Sequence, residues 1–253
     1  METHTQHLHH APKKKFWHYF YEFLMLFLAV FCGFLAENQR EHMVEHQREK
    51  QYMKSMLEDL KLDTAEINRT ISLINNYLNP VFKKSIELLY LEHFSDSTIR
   101  EMYDTVPKST RFLTIAFQNN TITQLKNSGN LRLIRNKVVT DSLAKYWNEC
   151  DYLINTQLAS YEVVRIKSKE LIFSLFNLKY FENNSLTNPL RKNISLKLMS
   201  DDRAQFIMLG NYLSNSHTQL NTLLNGSIFQ RLITINRKAT DLITLIQKEY
   251  HLE

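Results

Sequence analysis

An apolar stretch near the amino terminus, residues 16–36, constrains this chain more than any other feature. It contains 21 residues, close to the roughly 20 that a helix needs to cross the hydrocarbon core of a bilayer. Three lysines at 13–15 precede it and a polar run at 37–41 follows it. Its ionisable residues, His18 and Glu22, lie near its amino end. The stretch therefore predicts a transmembrane helix.

A cleaved signal peptide and a buried helix are the alternatives, because only the 14 residues from 23 to 36 are free of ionisable groups. A secretory peptidase requires small residues one and three positions before its cleavage site. The sites that would end at Ala29, Gly33 and Ala36 each have phenylalanine at the third position. We therefore expect an anchor that is retained.

The positive charges at its ends predict the orientation of the anchor. The lysines at 13–15 lie directly at the membrane edge, whereas the basic residues on the other side, from Arg40 onward, are more spread out. Basic residues beside a spanning helix favour the cytoplasmic side. Residues 1–15 are thus expected to form a disordered cytoplasmic tail, and residues 37–253 are expected to lie outside the cytoplasm.

Two faces of the predicted anchor helix differ in character. Six phenylalanines fall within a stripe about 80° wide. The opposite band holds His18, Glu22, Ala29, Gly33 and Ala36. Such a helix is typical of one that faces lipid on one side and other helices on the other. Two interpretations of Glu22 stay open: it pairs with His18 one turn away, or several copies surround the axis of an oligomer.

Composition favours long helices for the rest of the chain. Gly and Pro number four each in 253 residues, and so few breakers predict few connections. The net charge is +5, with basic and acidic residues interspersed, so nucleic-acid binding has no support. Cys32 and Cys150 are not expected to form a disulfide. A large external domain without disulfides favours a bacterial periplasm.

A polar helical stalk is predicted at residues 37–52. Glutamate recurs at every fourth position from 37 to 49, with basic residues between. A helix without an apolar face is not stable alone, so it has to continue the membrane helix or belong to an assembly. His42 and His46 are one turn apart and are weak candidates for a metal site. A polar surface is the favoured interpretation.

A packed or coiled-coil helix is predicted at residues 53–78. Its apolar residues alternate at spacings of three and four, with Thr64 in the one slot that is not apolar. The pattern does not decide whether this seam packs within its own domain or between chains. Because the residue before a proline avoids the α region, Asn79 and Pro80 are expected to end this helix, with Asn79 as the cap of the next.

Further helices are predicted to complete a bundle over residues 53–253. They are expected at 80–94, 97–103, 109–118 and 121–128, at 131–178 as one helix or a broken pair, and at 201–250, with the longest loop at 179–200. Gly129 is expected to end one of them in a left-handed conformation, and Gly210 and Gly226 are weak points of the last.

The turn around Gly129 is the polar feature of this domain that most resembles a binding site. Its members are Asn127, Asn130, Arg132, Arg135 and Asn136. A cationic turn can hold an anionic ligand or partner. More often such groups tie together a tight corner between helices, and both interpretations are kept.

Two blocks of sequence resemble a family of single-pass membrane proteins common in Bacteroidetes. They are EFLMLFLAVFCGFLAENQREHMVEHQREKQYMKSMLEDLKLD and TITQLKNSGNLRLIRNKVVTDSLAKYW. The resemblance implies a bacterial inner-membrane location. Because that family is of unknown function, the resemblance implies no activity and carries over no catalytic residue.

No common catalytic or nucleotide-binding motif occurs in the sequence. We therefore expect an all-α protein whose single transmembrane helix continues into a long helical stalk and an extracytoplasmic helical bundle. It is expected to be no enzyme and to need no cofactor. The favoured function is that of a structural or accessory protein that contacts membrane lipid and forms homo-oligomers, scaffolds a larger membrane or envelope complex, or does both. The alternative is a ligand-sensing or gating module whose oligomeric bundle is lined by Glu22.

Overall fold

The computed structural model describes residues 16–181, 195–221 and 226–252. In these ranges it contains eight α-helices and no strand longer than a single bridge, between Phe176 and Leu198. The helices are α1 Phe16–Leu73, α2 Asn79–Leu89, α3 Asp96–Thr105, α4 Asn120–Asn127, α5 Lys137–Tyr152, α6 Ala159–Leu175, α7 Arg203–Asn221 and α8 Ile228–Tyr250. The all-α prediction is confirmed. The tail predicted at 1–15 and most of the loop predicted at 179–200 lie outside the described residues.

The chain divides into two compact units, Met1–Gln51 and Tyr52–Glu253. In the first unit the described residues are all helical and belong to α1. Between residues 16 and 43, every residue except Leu24 is exposed. Among the described residues this is the one helix long and apolar enough to cross a membrane, with an 18-residue window of mean hydropathy 1.9.

The second unit is built around the predicted seam of residues 53–78. Most of its apolar side chains are almost fully buried inside the unit: Met53, Leu57, Leu60, Ile67, Ile74 and Leu78. Around them α2 and α6 pack on α7, α5 packs on α8, and α7 packs on α8. The seam therefore packs within its own chain, which decides a point that the sequence pattern had left open.

The prediction that Asn79 and Pro80 end the first long helix is wrong. A π-helical turn, Ile74–Leu78, joins α1 to α2, and Asn79 has helical angles, φ −61° and ψ −48°. Its N–H donates to the carbonyl of Ile74, five residues back. Because the wider π turn relieves the clash that proline makes inside an α-helix, the chain stays helical.

Asn79 is not a helix cap, because its side chain has a tertiary partner instead. Its Nδ2 donates to Asn221 Oδ1 at 2.9 Å, and Asn221 Nδ2 donates back to Asn79 Oδ1 at 2.6 Å. This reciprocal pair joins the start of α2 to the end of α7. Local preference before proline is thus overridden by a contact 142 residues away in sequence.

A short helix predicted at 109–118 is also wrong. After a 3₁₀ turn, Val106–Thr110, residues 111–119 have no regular structure. Leu113 and Ile115 are buried while their immediate neighbours are exposed. Burial at every second residue is the pattern of an extended chain and not of a helix.

Only some of the helix ends that were predicted from glycine positions occur in the structure. Gly129 has φ +67°, so the predicted left-handed end of α4 is confirmed. Residues 131–178 form a 3₁₀ turn, then α5 and α6 joined by a second π turn, Leu153–Leu158. The helix predicted at 201–250 is divided into α7 and α8, whereas Gly210 lies inside α7. A Cβ at Gly210 would lie 2.9 Å from the Tyr90 ring, so this glycine makes room for that ring.

Candidate functional site

The residues predicted to form the small face of the anchor lie on the exposed surface of α1. His18 Nε2 is 3.2 Å from Glu22 Oε1, and each side chain is half exposed. This is the geometry of pairing within one helix. A Cβ at Gly33 would meet no atom within 4 Å, and Ala29 and Ala36 are exposed. The face is therefore open for close approach of another helix.

Phenylalanines cover the other face of the same segment. The rings of Phe23 and Phe27 stack with centroids 6.2 Å apart, and those of Phe27 and Phe31 stack at 5.8 Å. All three side chains are largely exposed within the chain. A continuous apolar surface of this kind calls for lipid or another protein to cover it.

The two histidines predicted as weak metal ligands differ in their contacts. His46 Nδ1 lies 3.5 Å from Glu49 Oε2, one turn further along α1, while His42 is exposed. No group of three or more His, Cys, Asp or Glu side chains in the described parts of the chain could hold a metal ion.

The turn around Gly129 is tied to its neighbours by its asparagines. Asn130 Nδ2 donates to Tyr52 Oη at 3.0 Å. Asn136 Oδ1 accepts the N–H groups of Val138 and Val139 in the first turn of α5, and its Nδ2 donates to Glu249 Oε2 at 2.7 Å. These bonds join the turn to α1 and α8, which is the role of a helix corner.

The charged members of that turn lie at the surface. Arg132, Arg135 and Asn127 are exposed. The asparagines thus hold the backbone of the turn while the guanidinium groups lie on its outside. Binding of an anionic ligand or partner there stays a prediction.

A buried carboxylate that the sequence analysis did not identify lies in the core of the second unit. Asp63, on α1, is 1% exposed. Its Oδ1 accepts the N–H of Gln118 at 2.7 Å, and its Oδ2 accepts the hydroxyl of Tyr146 at 2.7 Å. One turn earlier, Asp59 Oδ2 accepts the N–H of Thr121 at 3.3 Å. The two aspartates fasten the extended segment and the start of α4 to α1.

Burial shifts the protonation of this cluster towards the neutral forms. It raises the pKa of Asp63 to about 6 although both hydrogen bonds act to lower it. It also raises the pKa of Tyr146, and that of the neighbouring Cys150 thiol to about 12. A thiol with so high a pKa is a poor nucleophile. The cluster is therefore suited to holding segments together and not to nucleophilic chemistry.

The burial of Asp63 could have been predicted from its position in the sequence. The buried stripe of α1 runs through Met56, Leu60, Asp63, Ile67 and Thr70 at spacings of three and four. A carboxylate in a stripe of this kind has to find hydrogen-bond donors in the fold. Which donors it finds depends on Gln118 and Tyr146, which the stripe does not specify.

Comparisons of the chain with protein-family models, with curated proteins and with solved structures found no match.

Proposed function

We propose that the chain is a single-pass membrane protein with a structural or accessory role, anchored by residues 16–36. The observation that carries this proposal is the contrast between that exposed apolar segment and the well-buried core of the second unit. Burial of a phenylalanine side chain is worth about 1.5–3 kcal/mol. Six exposed phenylalanines on one helix favour transfer to lipid strongly, and water is a poor environment for them.

The proposed location is a bacterial inner membrane, with residues 1–15 in the cytoplasm and the helical unit in the periplasm. The lysines at 13–15 support this orientation through the preference of basic residues for the cytoplasmic side. Cys32 and Cys150 are free, which suits a periplasmic domain that does not depend on a disulfide.

Self-association is proposed to occur through the anchor. Because the seam at residues 53–78 is used inside the chain, it offers little surface to a second copy. The face with Ala29, Gly33 and Ala36 is open, and small residues let two helices approach closely. Oligomers formed through this face would place several copies of the helical unit on one side of the bilayer. Those copies could then hold together a larger membrane complex.

The mass of the detergent-solubilised protein, with the bound detergent subtracted, tests this proposal. We expect the wild type to have a mass of at least twice the 30.1 kDa of one chain. Gly33→Leu is expected to have a lower mass, because the leucine side chain would separate the helices. Phe34→Leu, on the aromatic face, is the matched control and is expected to keep the wild-type mass. Glu22→Gln is expected to leave the fold intact.

Two further outcomes separate the parts of the proposal. A wild-type monomer would remove self-association and, with it, any bundle lined by Glu22, while a stable heteromer would support the accessory role. Protease added to spheroplasts is expected to digest the carboxyl-terminal unit. Full protection in intact spheroplasts would reverse the orientation.

A further inference from the structure

A polar recess lies between the π turn that joins α5 to α6, the second half of α7 and the start of α8. Its volume is about 490 Å³, which falls within the range of small-molecule sites. The residues that matter for its chemistry are Tyr152, Thr156, Gln157, Asn215, Gln219 and Ser227. All of its described lining residues belong to the second unit.

The π turn shapes one wall of this recess. π-Helical turns are rare and occur frequently at functional sites. Here the turn buries Leu153 in the core and places Thr156 and Gln157 in the wall. Gln157 Nε2 donates to the carbonyl of Gly226, at the start of α8.

The carboxamides of α7 form the opposite wall and are only partly used. Gln219 Nε2 donates to Asn215 Oδ1 at 2.7 Å. As far as the described residues go, this leaves Asn215 Nδ2 as a donor and Gln219 Oε1 as an acceptor for a ligand. A donor and an acceptor on one bonded pair of side chains suit hydroxyl groups, each of which can donate and accept.

Charged side chains lie beside the recess and not in its described lining. No lining residue that the structure describes carries a formal charge. Beside it, Arg231 lies 4.5 Å from the centre of the Tyr152 ring and is paired with Glu149. Glu149 also contacts Lys238 at 2.7 Å. Glu149 is thus shared by two cations, and the guanidinium lies over the ring of a lining residue. Inorganic phosphate is therefore the charged probe against which a neutral ligand has to be compared.

We propose that this recess binds an uncharged, hydroxyl-rich ligand, namely a saccharide. The carboxamides of Asn215 and Gln219 and the hydroxyl of Thr156 supply hydrogen bonds in both directions. The Ser227 hydroxyl already accepts the N–H of Gln230 as the cap of α8. Tyr152 is 46% exposed and has Arg231 over one face of its ring, so the remaining aromatic surface is available to the C–H groups of a sugar ring. Ile228 is the one aliphatic residue among the described lining, which makes the recess a poor site for an apolar ligand.

The test is a titration of the full-length protein in lauryl dimethylamine oxide, a detergent without a sugar headgroup. The probes are the neutral oligosaccharides chitotetraose and maltotetraose, with inorganic phosphate as the charged comparison. We expect saturable binding of at least one oligosaccharide by calorimetry. The Asn215→Ala/Gln219→Ala variant is expected to bind at least tenfold more weakly, whereas Gln124→Ala, an exposed carboxamide on α4, binds as the wild type does.

A second variant guards against loss of folding in the first. Ser160→Trp places a large ring in the recess from an exposed position, and it should abolish binding without changing the thermal unfolding midpoint. The proposal is overturned if neither oligosaccharide binds with a Kd below about 10 mM. It is also overturned if phosphate binds more tightly, or if both recess variants bind as the wild type does.

Discussion

Residues 16–36 and residues 53–78 both carry large apolar side chains at helical spacing, and their surroundings are opposite. In the first segment Phe23 and Phe34 are 66% and 68% exposed. In the second, Leu60 and Ile67 are 0% exposed. Helical periodicity identifies the apolar face in both, but it does not say what covers that face. For the second segment the cover is the chain itself, whereas the first segment is exposed.

Polar residues within the two segments show the same difference. Asp63 is tolerated in the buried seam because Gln118 and Tyr146 supply donors at 2.7 Å. Glu22 has His18 of its own helix at 3.2 Å. A core assembled from many segments can supply distant partners, whereas a lone helix in lipid has to find them within itself or in another copy.

The largest effect is expected from charge placed on the aromatic face of the first segment. Each lysine at the centre of a spanning helix costs about 2.5–3.5 kcal/mol. Phe27→Lys/Phe31→Lys should therefore move the protein from the membrane to the soluble fraction, measured after an alkaline wash. Leu62→Lys, at a position 56% exposed in the second unit, is the control and should stay in the membrane fraction.

A smaller effect is expected from a cavity in the second segment. Leu60→Ala should lower the free energy of unfolding of the helical unit by about 2–5 kcal/mol, while membrane association is kept. Leu62→Ala, two residues away and exposed, should change it by less than about 0.5 kcal/mol. Urea unfolding followed by circular dichroism measures both. Equal effects of the two substitutions would contradict the packing of α1 described here.

The smallest effect depends on pH and concerns Asp63. The pKa of Asp63 is about 6 in the folded chain against an ordinary 3.8, so the folded form holds this proton more tightly. The quantity to follow is the free energy of unfolding of the wild type minus that of Asp63→Asn. This difference should be highest below pH 4. It should fall by up to about 3 kcal/mol as the pH rises to 6 and stay constant above 7.

Glu149 provides a control of opposite sign. Its contacts with Lys238 and Arg231 lower the pKa of Glu149 in the folded chain. Relative to Glu149→Gln, the wild type should therefore be more stable above the ordinary pKa of 4.5 and lose that advantage as the pH falls. Two slopes of the same sign in the urea experiments would contradict the assignment of Asp63 as a buried acid.

Sequence patterns predicted the helical class, the apolar segment and the stripe at 53–78, because these depend on periodicity along one helix. The glycine turn at 129 was predicted because its backbone needs a left-handed residue. The helix end predicted at Asn79 and Pro80 was wrong, since the bond between Asn79 and Asn221 depends on a contact that is distant in sequence. The extended segment at 111–119 was missed for the same reason, because its amide partner is Asp63.

The candidate sites also differ in whether their residues lie on one helix or come from distant parts of the chain. His18 and Glu22 could be paired from their spacing, since both lie on one helix. The fastening role of Asp63 and the recess beside Gln157 could not be predicted, because each brings together residues from three separate stretches of the chain. The spacing of residues along one helix carries no information about contacts between distant parts of the chain.

The measurement that tests the account most directly is the accessibility of a spin label on the native Cys32, with the protein in lipid nanodiscs. Cys32 is exposed on the apolar segment and Cys150 is buried, so the label attaches selectively. We predict that oxygen, which dissolves in lipid, increases the relaxation rate of the spin label. A water-soluble nickel complex should leave that rate unchanged. A label on Leu62→Cys, in a Cys32→Ser background, should show the reverse. Strong relaxation of the Cys32 label by the nickel complex would contradict the claim that residues 16–36 lie in the membrane.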